Sequence, residues 1–197
     1  MRAMWWKTPV ALILFKEEAT VIVVNLFGGP GSGKSTTRAG LFYLMKLAGM
    51  KVEEAPEWIK HKVYEEDPYP FKDQLYTLAK QNKQVRELDG KVDWCVTDSP
   101  ILLSLIYGEG KTETFKKLVH ETYDSYDNIN IFIERVKPYA PYGRHQTEDE
   151  AREKDREILT ILSERGDKVF HVAGDELAPG VILNYLQAKL NERKLHS

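Results

Sequence analysis

Residues Gly28 to Ser35 read G-G-P-G-S-G-K-S and fill every position of the phosphate-binding pattern GxxxxGK[ST]. The apolar run Val21-Ile22-Val23-Val24-Asn25-Leu26-Phe27 precedes them, and a stretch able to form a helix, Thr36 to Leu47, follows. Strand, glycine loop, helix is the context the pattern requires. A continuous apolar run marks a strand covered on both faces, as in a parallel sheet. Gly28, Gly31 and Gly33 admit backbone conformations closed to other residues, so the loop can turn its amides inward around a phosphate. The helix N-terminus behind it adds partial positive charge. Lys34 is expected to reach the β- and γ-phosphates and the Ser35 hydroxyl to ligate Mg²⁺, with Gly29, Ser32 and Thr36 completing the cradle.

Downstream, apolar runs alternate with amphipathic stretches, which predicts a parallel sheet between helices. The strands are expected at Thr20–Phe27, Lys51–Ala55, Val92–Thr97, Ile129–Ile133 and Lys168–Val172. The pattern predicts helices from Glu57 to Glu66, Ile101 to Tyr107, Thr112 to Tyr123 and Leu177 to Leu190. A further one spans Phe71 to Leu88, with Phe71, Leu75, Leu78, Val85 and Leu88 on its apolar face. Thr147-Glu148-Asp149-Glu150 reads as a capping box opening a helix that runs to Arg165. The expected architecture is a three-layer α/β fold with a five-stranded parallel sheet and a lid at about 135–147; the strand order 2-3-1-4-5 is what the resemblance to P-loop folds implies. Residues 20–197 form one domain, and 1–19 are read as an N-terminal extension.

Bulk properties exclude several classes. The 197 residues suit one well-buried core. A net charge of −2 supplies no global attraction to nucleic acid or anionic lipid. Cys95 is the single cysteine, so no intramolecular disulfide or cysteine metal site arises. No stretch has eighteen apolar residues, so no membrane partner is expected, and a cytoplasmic setting is the simplest, the host cytoplasm if the chain is phage-encoded. The sequence leaves the oligomeric state open, with a homodimer a reasonable form.

Further candidates lie at the carboxyl ends of the expected strands, where ligands sit in open α/β sheets. Asp98 ends strand three and is read as a second metal-holding group, against the alternative that it caps the following helix. Glu54 and Glu57, in V-E-E-A-P-E-W, are candidates for accepting the proton of an attacking hydroxyl; Glu54, nearer the strand end, is preferred. Trp58 could stack on a planar ring or pack in the core. Arg135, Lys137 and Arg144 bracket a Pro/Gly loop after strand four that is either a lid or a solvated surface loop. Arg144 is the best single candidate for the γ-phosphate, Arg135 for the nucleotide and Tyr139 for the acceptor side.

This arrangement resembles the P-loop nucleoside and nucleotide kinases: thymidylate, deoxynucleoside and ribosylnicotinamide kinases. E-A-P-E-W is similar to the E-P-x-x-W segment of deoxynucleoside kinases, where the glutamate is the base. T-D-S-P is similar to their D-R-[SY] segment, except that Ser99 stands where that group has arginine. The chain also looks like phage-encoded P-loop proteins of this kind, some of which phosphorylate hydroxymethyluracil in DNA, through the glycine loop, T-D-S-P and K-P-Y-x-x-x-G-R-x-Q. The resemblance implies transfer of the γ-phosphoryl of ATP, with Mg²⁺, to a hydroxyl of a nucleoside- or nucleotide-type acceptor, free or within DNA. The alternative is an NTP-driven ATPase or switch acting on a protein or nucleic-acid partner.

Overall fold

In the computed structural model, which describes residues 20–58, 73–108, 111–136 and 147–196, the first apolar run forms β1 (Ile22–Phe27). The glycine loop leads into α1 (Lys34–Leu47), and the chain returns as β2 (Val52–Ala55). Then come α2 (Gln74–Arg86), β3 (Trp94–Thr97), a 3₁₀ helix (Ile101–Leu105) and α3 (Glu113–Asp124). The order closes with β4 (Asp127–Glu134), α4 (Glu148–Glu164), β5 (Val169–Ala173) and α5 (Ala178–His196).

Among the described residues the strands form one five-stranded sheet ordered β2-β3-β1-β4-β5, and every pairing is parallel. This is the expected order. β1 is central, with Val24 opposite Val96 of β3 and Ile129 of β4. Side chains alternate across the pleat. Val24 and Leu26 pack with Leu41 and Met45 of α1 and Ile182 and Leu186 of α5. Phe27 and Phe132 face the other layer, meeting the 3₁₀ helix, Leu78 of α2, Val119 of α3, and Ile158 and Leu162 of α4. Leu41 and Leu186 are fully buried, which contributes about 1.5–3 kcal/mol each.

Local signals explain most boundaries. The Thr112 hydroxyl accepts from the Phe115 amide at the start of α3. Thr147 and Glu150 form the capping box of α4, as the sequence predicts. Three expectations need correction. Ile101–Tyr107 is a short 3₁₀ helix to Leu105, because Pro100 precedes it in an extended conformation and Gly108, at φ +77°, stops the chain. The buried stripe of α2 is Gln74, Leu78, Gln81 and Val85, while Leu75 is 58% exposed. Helical spacing allows both stripes; Gln81 prevails because its amide donates to Thr97 Oγ1 at 3.2 Å, tying α2 to the end of β3. The last helix runs on to His196. Of the expected helix at 57–66 only Glu57 and Trp58 are described, and neither is helical; residues 59–66, Phe71, the extension at 1–19 and most of the lid, 137–146, lie outside the described residues.

Candidate active site

The loop follows β1 at the carboxyl edge of the sheet. Gly28 has φ +141°, and a Cβ there would press on Ser32 and stand 3.0 Å from the Ile133 carbonyl. Gly33, at φ +105°, caps α1 in a left-handed conformation and accepts from the Thr37 amide at 2.9 Å. Ser35 and Thr36 occupy the first turn of α1. The Ser32 hydroxyl is buried and has no hydrogen-bond partner among the described residues. A buried hydroxyl without a partner is costly, and a phosphate oxygen would satisfy it.

Lys34 curls back over the loop, its Nζ donating to the carbonyls of Gly28 at 2.6 Å and Gly29 at 3.0 Å. Burial lowers its proton affinity below the usual lysine range, against the pull of the Glu57, Asp98 and Asp155 carboxylates; Arg135 adds to the lowering. The charges of those groups all bear on one ammonium at the loop.

Asp98, 2% exposed, follows β3 directly. Its Oδ1 accepts from the Glu57 amide at 3.1 Å and faces Arg38 Nε at 3.2 Å. It does not cap the 3₁₀ helix, whose N-cap is Pro100. The Arg38 guanidinium also holds Glu54 of β2 through Nη1. Burial raises the Glu54 carboxyl above the ordinary carboxylate range; Arg38 opposes this and the Asp98 charge adds to it. Glu57 is the larger electrostatic influence on Lys34, and Glu54 does not figure in that balance. Trp58 packs edge-on to Tyr76 of α2, centroids 5.4 Å apart, with Lys80 Nζ 5.8 Å from its ring centroid.

Arg135 lies one residue beyond β4 with a side chain only 3% exposed. Its Nη2 donates to Asp155 Oδ2 at 3.2 Å, and Asp155 Oδ1 accepts the Gly29 amide of the loop. Arg144 and Tyr139 lie outside the described residues.

Sequence reasoning missed Arg38, Asp155, Tyr107 and Gly174. Arg38 was legible as the residue one turn after Lys34 on the same face of α1. Asp155 interrupts the inward stripe Ala151, Ile158, Leu162 of α4, and an acid on a buried stripe is a signal. Tyr107 is half-buried, and its hydroxyl is pushed up in pKa by burial and by Glu57 and Asp155. Gly174, just after β5, backs the loop: a Cβ there would overlap the Ser32 carbonyl and stand 2.9 Å from that of Glu134.

Ser35 and Asp98 offer the hard oxygen donors Mg²⁺ takes, and such a site draws its other ligands from water and substrate phosphates. Among the described residues no three Asp, Glu, His or Cys side chains form a metal-binding group. Among the described residues no helix is long and apolar enough to cross a membrane.

The family model described as AAA domain matches residues 23–177. No curated protein matches the sequence. Among solved structures, a deoxyadenosine kinase from M. mycoides with products dCMP and a flexible dCDP bound is 19% identical. It covers 84% of this chain and 98% of its own, with a TM-score of 0.51. The same enzyme with bound dATP gives 19%, 84%, 99% and 0.50. A shikimate kinase from Acinetobacter baumannii in complex with shikimate is 16% identical, covers 90% and 97%, and has a TM-score of 0.47. The deoxyadenosine kinase likeness shows that the fold is the P-loop kinase fold.

Proposed function

The chain belongs to the AAA domain family, and from that premise we propose that it is an ATP- and Mg²⁺-dependent phosphotransferase acting on a hydroxyl of a nucleoside- or nucleotide-type acceptor, free or within DNA. The observation that carries this reading is the gathering of Lys34, Arg135, Glu57 and Asp98 at the mouth of the glycine loop, with Arg38-held Glu54 beside them. A carboxylate beside the cradle can take the proton that an acceptor hydroxyl loses as its oxygen attacks.

The loop amides and Lys34 hold the β- and γ-phosphates, Lys34 exchanging its two loop carbonyls for phosphate oxygens. Ser35 and Asp98 would hold the magnesium, which when bound would neutralise charge on the phosphates. Glu54, oriented by Arg38 and with a raised proton affinity, accepts the acceptor's proton. The acceptor oxygen bonds to the γ-phosphorus, the bond from that phosphorus to the bridging oxygen breaks, and ADP leaves with the electron pair. Lys34, Arg135 and Arg144 offset charge on the moving group. Trp58 and Glu57, and Tyr139 by the resemblance, are assigned to the acceptor. The nucleoside-type acceptor rests on the E-A-P-E-W resemblance, and the deoxyadenosine kinase likeness is consistent with it at the level of fold.

A screen with γ-labelled ATP tests this. The panel is nucleosides, nucleotides, ribosylnicotinamide and hydroxymethyluracil-containing DNA. Label should move to at least one acceptor and stay put in Lys34→Ala. Release of labelled phosphate at one rate across the whole panel would instead favour the ATPase reading.

A further inference from the structure

Asp155 uses both carboxylate oxygens on donors of the kind phosphate seeks. Oδ1 takes the amide of Gly29, inside the glycine loop, and Oδ2 takes Arg135 Nη2 at 3.2 Å. The contact is built into the packing. A Cβ on Gly29 would overlap the Ala151 carbonyl and stand 2.8 Å from Asp155 Oδ1, so only glycine lets α4 sit this close to the loop. Asp155 and Arg135 both bear on the charge of Lys34, so the carboxylate lies within electrostatic reach of the ammonium that grips phosphate.

We propose that Asp155 is an internal anion of the nucleotide site, holding the Gly29 amide and Arg135 until a nucleotide's phosphates displace it. The inference rests on the loop binding a nucleotide, as in the function proposed above. Asp155 adds to the Glu57 and Asp98 carboxylates a negative charge that bears on Lys34, and it holds both a loop amide and Arg135. A triphosphate supplies more charge and more acceptor oxygens, so it replaces the carboxylate at the two donors. Asp155 thereby raises the threshold for binding. A weakly charged anion does not displace it, whereas a polyphosphate does. α4, which carries Asp155, is coupled to occupancy of the loop.

This makes the direction of a mutational effect diagnostic. Asp155→Asn removes the charge and turns an amide donor toward Arg135. Asp155→Ala removes the carboxylate from both donors. Calorimetry with ATP and with inorganic tripolyphosphate, both with magnesium, should show each variant binding on the order of tenfold tighter than the wild-type protein. A residue that only braces α4, or only orients Arg135 for catalysis, predicts the opposite: unchanged or weaker binding. That result in variants with wild-type circular dichroism would overturn the proposal.

The wild-type protein provides a check that needs no variant. The Gly29 amide proton, hydrogen-bonded to a carboxylate, should move when tripolyphosphate is added, in step with the binding isotherm. A Gly29 resonance that stays still while the ligand binds would refute displacement. No binding by wild type and variants alike would remove the nucleotide reading and this inference together, whereas binding without a gain in the variants removes this inference alone.

Discussion

Arg38 Nε stands 3.2 Å from Asp98 Oδ1 while Nη1 of the same guanidinium holds Glu54, so one cation on α1 joins the carboxylates at the ends of β2 and β3. The side chains of Arg38 and Asp98 are 16% and 2% exposed. Arg38→Met strands two carboxylates in a low-dielectric setting. Removing one partner of a buried pair is destabilising, here by about 1–2 kcal/mol once the partial exposure of Glu54 is discounted. Urea denaturation measures it, and a change below a few tenths would show the bridge to be incidental.

The same bridge governs pH dependence. Burial raises the Glu54 carboxyl and Arg38 opposes that rise. A base works deprotonated, so phosphoryl transfer should increase with pH through a Glu54 pKa above the usual carboxylate range. Without Arg38 the opposing influence is gone, and the acid limb of the kcat profile should move to higher pH. Glu54→Gln should remove that limb and slow transfer while sparing nucleotide affinity; Glu57→Gln, measured beside it, should retain the limb. The reverse pattern would make Glu57 the base.

Lys34→Ala removes the ammonium that bridges the Gly28 and Gly29 carbonyls. Transfer should fall on the order of 10²- to 10³-fold, the scale for losing one donor to developing charge. Wild type at a hundredfold excess of nucleotide over Kd should gain about 2.7 kcal/mol of stability. A variant that keeps the full thermal shift would place the phosphates elsewhere.

Cys95 is buried in β3, where desolvation pushes its thiol up to about 12. The folded-state pKa is raised, so the thiol stays protonated in the native sheet and ionises on unfolding once the pH passes the ordinary thiol range. Its contribution to stability is complete below pH 9.0 and is lost as pH rises toward about 12. Iodoacetamide at pH 8 should therefore label the native protein only at the rate of opening, and the unfolded chain in minutes. Rapid native labelling would show that β3 is accessible.

Gly174→Ala places a methyl group against the Ser32 carbonyl. Overpacking of this kind costs about 1–3 kcal/mol. Because the obstructing atom belongs to the glycine loop, nucleotide affinity should fall along with melting temperature. A drop in melting temperature with unchanged affinity would mean that the loop absorbs the shift.

How much was legible can be judged element by element. The parallel sheet followed from alternating apolar runs and amphipathic stretches, its strand order from the likeness to P-loop folds, and the capping box of α4 appears where Thr147 and Glu150 predict it. The inward face of α2 departs from expectation because Leu75 looks like a core residue; the helix turns Gln74 and Gln81 inward, where Gln81 finds Thr97 Oγ1. The expectation that Ile101 begins an α-helix fails because Pro100 and Gly108 leave room for one tight turn. Glu54 and Asp98 were found as candidates from their places at strand ends, but nothing local announced that a single arginine joins them.

The sequence alone determined what is local and periodic. Eight residues specify the glycine loop, because its chemistry lies in backbone amides and one lysine, and the period of apolar residues specifies strand or helix. The tertiary structure decided which charges meet. Asp155 and Gly29 are 126 positions apart, and Arg38 and Asp98 are 60 positions apart; no spacing rule spans such distances. They come together because a parallel sheet brings the carboxyl ends of β1, β2, β3 and β4 to one edge, and because α4 packs close enough to the loop to set a carboxylate on its amide.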